Sequence, residues 1–121
     1  MLAKPCLQGR RVVVVEDDPL VKATVETCLS ESGAVIVPYF DLKLDAAILD
    51  VKIGRGVTSL PIAKTLELRG IPFLFFTAYG DTLAPTIQRR WPHCTILSKP
   101  VSENTLIQAV ASLLEPQRLR A

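Results

Sequence analysis

The chain alternates short apolar runs with segments of helical periodicity. Arg11–Val15 reads RVVVV, a β-branched run without polar alternation, as expected of a parallel strand covered on both faces. It stops at Glu16-Asp17-Asp18-Pro19, where a proline suits a first helical turn and acids favour the positive helix end. From about Leu20 to Ser32, the apolar residues Val21, Val25, Cys28 and Leu29 fall on one helical face, and Gly33 offers a stop. Further strands are predicted at Ala34–Pro38, Ala46–Val51, Ile71–Thr77 and Cys94–Ser98. Helices are predicted over Ser59–Arg69, with Ser59 as N-cap, over Asp81–Arg90 as a short one, and over Ser102–Leu114.

This alternation predicts one α/β sheet with helices on both faces, and ligands in such sheets bind outside the carboxyl ends of the strands. One connection breaks the pattern. Only Tyr39–Asp45 separates the second strand from the third, and seven residues are too few for an ordinary crossover helix.

The predicted strand ends carry the candidate chemistry. Glu16 and Asp17 follow the first strand, Asp50 lies in the third, Thr77 ends the fourth, and Lys99-Pro100 follows the fifth. Taken singly, each has a simple structural explanation: a helix cap, a turn residue, a surface Lys-Pro. Together, at the ends of different strands, they form one constellation. Clustered carboxylates repel one another unless a cation sits among them. An oxygen-only set with no histidine nearby suits magnesium or manganese. Asp50 would then face a phosphoryl donor as nucleophile, with Lys99 and Thr77 contributing charge and a hydrogen bond.

Composition narrows the class. With 14 basic and 12 acidic residues, the net charge of +2 does not suggest a nucleic-acid footprint. Three cysteines, Cys6, Cys28 and Cys94, lack metal-ligand spacing and fit a reduced, intracellular protein. No secretion signal or membrane-length apolar stretch is present, so a soluble, cytoplasmic protein without membrane or direct nucleic-acid partners is expected.

The motifs VVVVEDDPLV, AAILDV, FFTAYG and LSKPV resemble those of response regulator receiver domains from two-component systems, over about Arg10–Leu114. The resemblance implies a flavodoxin-like (CheY-like) five-stranded parallel sheet of order 2-1-3-4-5, here with its second helix shortened or absent. It implies Asp50 as phosphoacceptor, Asp17 as magnesium ligand with Glu16 helping through water, and Asp50 and the Lys52 backbone carbonyl completing the protein ligands. Asp18 matches a more variable acidic position, and Thr77 and Lys99 match the switch hydroxyl and the phosphoryl-binding lysine. The implied partners are a histidine kinase or phosphotransfer protein, or a small acyl phosphate as donor, together with a downstream protein. The stretch ending Phe75-Phe76-Thr77-Ala78-Tyr79 is similar to single-domain alphaproteobacterial receivers with a Phe-Ala-Thr-Gly-type motif. The expected organisation is an extension at 1–9, the receiver at 10–115 and a tail at 116–121. With no output domain following, the chain would act through protein contacts and would not be an enzyme beyond its own phosphorylation and dephosphorylation.

Three departures from the family pattern stand out. Ile96 replaces the usual switch aromatic, which makes Tyr79 and its neighbour Ala78 candidates for modulating the pocket mouth. Lys52, two residues after Asp50, could pair with Glu16 or the phosphoryl group, or lean into solvent. The lost helix would expose apolar side chains of the first three strands or the third helix, so homodimerisation or partner docking is expected near Val35–Leu44. Two other functions compete with a phosphorylated receiver. One is a degenerate receiver serving as a phosphorylation-independent scaffold. The other, a haloacid-dehalogenase-like phosphatase, needs a second aspartate where Lys52 stands.

Overall fold

In the computed structural model, which describes residues 6–39, 41–78 and 83–115, five parallel strands form the central sheet. They are β1 (Arg11–Val15), β2 (Val35–Ile36), β3 (Ala46–Leu49), β6 (Phe73–Ala78) and β7 (Ile96–Lys99), in the order β2-β1-β3-β6-β7. A separate antiparallel hairpin pairs β4 (Lys52–Gly54) with β5 (Val57–Thr58). The helices are α1 (Pro19–Glu31), α2 (Leu60–Leu68), α3 (Ala84–Arg90) and α4 (Glu103–Leu113). The sheet order and parallel pairing are those of the expected flavodoxin-like fold.

Alternate strand residues feed two cores. Val12, Val14, Ala46, Ile48, Leu74 and Phe76 pack with α1 and α4, while Val13, Ala47, Leu49 and Phe75 face α2 and α3 on the other side. This two-sided burial is why the first strand reads as uninterrupted valine. Leu7, ahead of β1, belongs to the first core. Leu7 is fully buried there, and its amide donates to the Ser32 carbonyl at 2.9 Å. Gly33, at φ +99°, closes α1 where an added Cβ would come within 2.9 Å of the Gln8 Cα, so this crossing needs glycine for both its conformation and its clearance.

Among the described residues no helix lies between β2 and β3. Arginines hold that connection instead. Arg11 donates from Nε to the Lys43 carbonyl (2.9 Å) and from its guanidinium to Asp41 (2.6 Å), while Arg69 reaches the carbonyls of Asp41 and Leu42 at 3.3 and 3.2 Å. Half-buried Tyr39 and Leu44 pack on the second core. The central strands therefore stay covered, with Val13 only 3% exposed. The exposure expected from the lost helix falls on Val35 of β2, on Leu42 of the connection and on Leu68 of α2. No helix among the described residues is long and apolar enough to cross a membrane.

Leu7→Ala is expected to lower unfolding stability by about 2–5 kcal/mol in a urea titration, because it leaves a cavity beneath α1. An unchanged midpoint would place residues before Arg10 outside the folded unit.

Candidate phosphoacceptor and metal site

Parallel strands end at one edge of the sheet, and that geometry gathers the site. The Asp50 amide donates to the Val15 carbonyl at 2.8 Å, tying the residue after β3 to the end of β1. Glu16 and Asp17 follow directly. One carboxylate oxygen from each of Glu16, Asp17 and Asp50 lies within 4.8 Å of the others. Asp18 is not part of this cluster: its Oδ1 accepts from the amides of Leu20 (2.9 Å) and Val21 (3.3 Å) and caps α1. The acidic run thus serves two purposes, with Asp18 as the cap and its two predecessors turned toward Asp50.

Lys99 ends β7 and bridges the cluster. Its Nζ lies 2.6 Å from Glu16 Oε1 and 3.4 Å from Asp50 Oδ2, and it stands 5.6 Å from the Phe76 ring centroid. Thr77 is buried at the end of β6, in register with Ser98, one residue before the lysine. Ala78 pairs with Lys99 in the strand register and is exposed.

The charges are in tension. Burial, with the nearby Glu16, pushes the Asp50 carboxyl up to about 6, against the opposing pull of Lys99. Burial acts to lower the Lys99 ammonium, yet its contacts with Glu16 and Asp50 outweigh that and raise it. Glu16 and Asp50 thus share one lysine, and the group most in need of neutralisation is Asp50. Hard oxygen donors this close fit a small divalent cation of the magnesium type.

Other predicted positions fall around this centre. Lys52 is exposed at the start of β4 and, among the described residues, forms no ion pair; Glu16, its expected partner, is occupied by Lys99. Ile96 is half-buried, starts β7 opposite Phe75 and packs in the second core. Tyr79 lies outside the described residues. Ser59 does occupy the N-cap position of α2, but its hydroxyl makes no capping bond and is buried without a hydrogen-bond partner. The β4–β5 hairpin was not foreseen from the sequence. Its signal is the Gly54-Arg55-Gly56 turn between β-formers, with Gly56 at φ +71°.

The signal receiver domain of a modulated diguanylate cyclase from Desulfovibrio desulfuricans G20 superposes with a TM-score of 0.78 and 23% identity, over 94% of this chain and 100% of that one. A response regulator receiver protein from Burkholderia phymatum gives 0.74 and 24%, over 87% and 94%. A CheY-like receiver domain protein from Methanospirillum hungatei JF-1 gives 0.75 and 17%, over 88% and 94%. The fold is that of a response regulator receiver domain. No family model and no curated protein sequence matches the chain. In the receiver fold of this chain, the acidic cluster and Lys99 occupy the carboxyl edge of the sheet, the ligand-binding edge of doubly wound proteins.

The raised Asp50 carboxyl has a measurable consequence. Because the native state holds that proton more tightly than the unfolded chain, Asp50 contributes stability below about pH 4 that is lost as pH rises through about 6. In the presence of a chelator, Asp50→Asn is expected to be more stable than wild type at pH 7 by on the order of 1–2 kcal/mol. That advantage should vanish near pH 4 in paired urea titrations.

Proposed function

We propose that this chain is a phosphoryl-accepting signalling module: a receiver that takes a phosphoryl group on Asp50 and passes the signal on through protein contacts. The observation that carries the reading is the joint placement of Asp50, Glu16, Asp17 and Lys99 at one sheet edge, with Thr77 ending the neighbouring strand. An Asp50 carboxylate oxygen attacks phosphorus and forms the new O–P bond. The bond to the leaving group breaks and its electron pair departs with that group, as acetate when the donor is acetyl phosphate. Glu16, Asp17, Asp50 and the Lys52 carbonyl would hold a magnesium or manganese ion, which supplies positive charge to the phosphoryl oxygens.

Lys99 has a second task in this scheme. When the phosphoryl group arrives, its Nζ offers a hydrogen bond and a charge to the added oxygens, giving up part of its contact with Glu16. Thr77, one residue from Lys99's strand partner Ala78, would supply the hydroxyl that follows the phosphoryl group inward. The natural donors are a histidine kinase or a phosphotransfer protein, and the output is a changed surface read by another protein. Ile96 carries no aromatic ring, so that change does not travel by rotation of an aromatic side chain at this position.

Incubation with magnesium and acetyl phosphate should add one phosphoryl mass to the intact protein. The gain should require the metal and disappear in Asp50→Asn. If neither a mass gain nor binding of the beryllofluoride mimic is seen, the chain is a phosphorylation-independent scaffold instead.

Lys52 is exposed two residues after Asp50 and forms no ion pair among the described residues, so its ammonium would border the attacking water and pair with the phosphoryl oxygens. Lys52→Asn is expected to shorten the phosphate lifetime by about threefold, through loss of that electrostatic contact. The decay of the mass-shifted species after donor removal measures this, and an unchanged decay would leave Lys52 as a solvated surface residue.

A further inference from the structure

The segment that leaves the sheet after Asp50 is one-sided in charge. Residues 51–66 contain Lys52, Arg55 and Lys64 and not one acidic residue. All three cations are exposed, and among the described residues none forms an ion pair. Two of them are carried by the β4–β5 hairpin, with Lys52 at its base and Arg55 on its turn. The base is anchored beside the site, because the Ser59 amide donates to the Val51 carbonyl at 2.8 Å where the chain returns. Arg55 is five residues from Asp50 and so lies within about 18 Å of it, even for a fully extended chain.

The pocket this hairpin borders is poorly suited to attract its own substrate. Three carboxylates face a single ammonium, and that ammonium is already engaged by Glu16 at 2.6 Å. A small acyl phosphate carries negative charge on its phosphoryl group, so the bare cluster repels it at a distance, and a bound divalent cation would only balance the three carboxylates and Lys99 without making the pocket positive. From this opposition of charges we infer that the β4–β5 hairpin is an electrostatic guide, in which Arg55, with Lys52, draws small acyl phosphate anions toward Asp50. The inference rests on the phosphoacceptor reading of Asp50. It adds a role for a hairpin that packing alone does not explain, since Lys52, Gly54, Arg55, Gly56 and Val57 all remain exposed.

Electrostatic guidance has a signature that local structural damage does not share. It weakens as salt shortens the screening length, from about 30 Å at 0.01 M to about 3 Å at 1 M. It also acts with opposite sign on anions and cations. The test compares wild type, Arg55→Glu and Arg55→Lys in two measurements. One is the second-order rate of acetyl phosphate labelling at saturating magnesium, by intact mass, at low and high ionic strength; the other is magnesium affinity by calorimetry at low ionic strength. Arg55→Glu should label about three- to fivefold more slowly at low ionic strength and match wild type at high ionic strength. It should bind magnesium more tightly than wild type, and Arg55→Lys should behave as wild type in both measurements.

Equal labelling rates at low ionic strength would overturn the inference. So would a slowing that persists at high ionic strength together with weakened magnesium binding, which would mark a damaged site. Failure of the wild type itself to label would remove the phosphoacceptor reading and the guide with it, an outcome distinct from equal labelling of wild type and variant.

Discussion

Glu16 and Asp50 approach one another because the strands that carry them are neighbours in a parallel sheet, and Lys99 makes that approach tolerable. Carboxylates this close, one of them buried, would push the sheet edge apart or force a proton onto one member. The lysine limits both effects by donating to Glu16 at 2.6 Å while standing 3.4 Å from Asp50. Its reach depends on β7 lying beside β6 in register, with Ala78 opposite Lys99. The site is thus a property of the sheet as a whole: displacing either β1 or β7 would separate the charge from its counter-charge.

The same sheet governs what happens where the usual helical cover is missing. Among the described residues between β2 and β3 there is no helix to lay over the second core, yet Val13 and Leu49 remain buried. Tyr39 and Leu44 supply part of the cover, and Arg11 and Arg69 fasten the connection through its backbone carbonyls. Polar fastening of this kind replaces the internal hydrogen bonds that a helix would have made for itself. What remains uncovered is peripheral, in Val35, Leu42 and Leu68, and the protein core does not depend on it. A short connection thus changes the surface of the receiver fold without moving the strand ends that form the site.

Charge is distributed around the site in a way that packing does not require. Acidic residues end β1, whereas the chain after Asp50 turns basic until Glu67. Asp18 shows how closely structural and chemical roles adjoin here, since it caps α1 while its predecessors Glu16 and Asp17 join the cluster. One short run of acids both starts a helix and supplies oxygen ligands, because the helix N-terminus and the strand end meet at the same edge.

The valine run of β1, the helical spacing of α1 and α4, and the acids, hydroxyl and lysine at the strand ends were all legible in the sequence. Periodicity and burial are local consequences of side-chain type, and in a parallel α/β sheet the strand ends fall at one edge. The missing second helix was legible too, because seven residues cannot hold a crossover helix. Other features were decided only by tertiary structure. Leu7 looked like part of an extension and proved to be core, because its burial depends on α1 ending at Gly33 beneath it. The choice of Lys99 over Lys52 as the partner of Glu16 joins residues 83 apart in sequence. The β4–β5 hairpin, with strands of three and two residues, is too short for any periodic pattern to announce. Residue chemistry specifies which groups tend to meet water, core or metal. Distances between groups far apart in the chain exist only once the sheet has brought its strands into register.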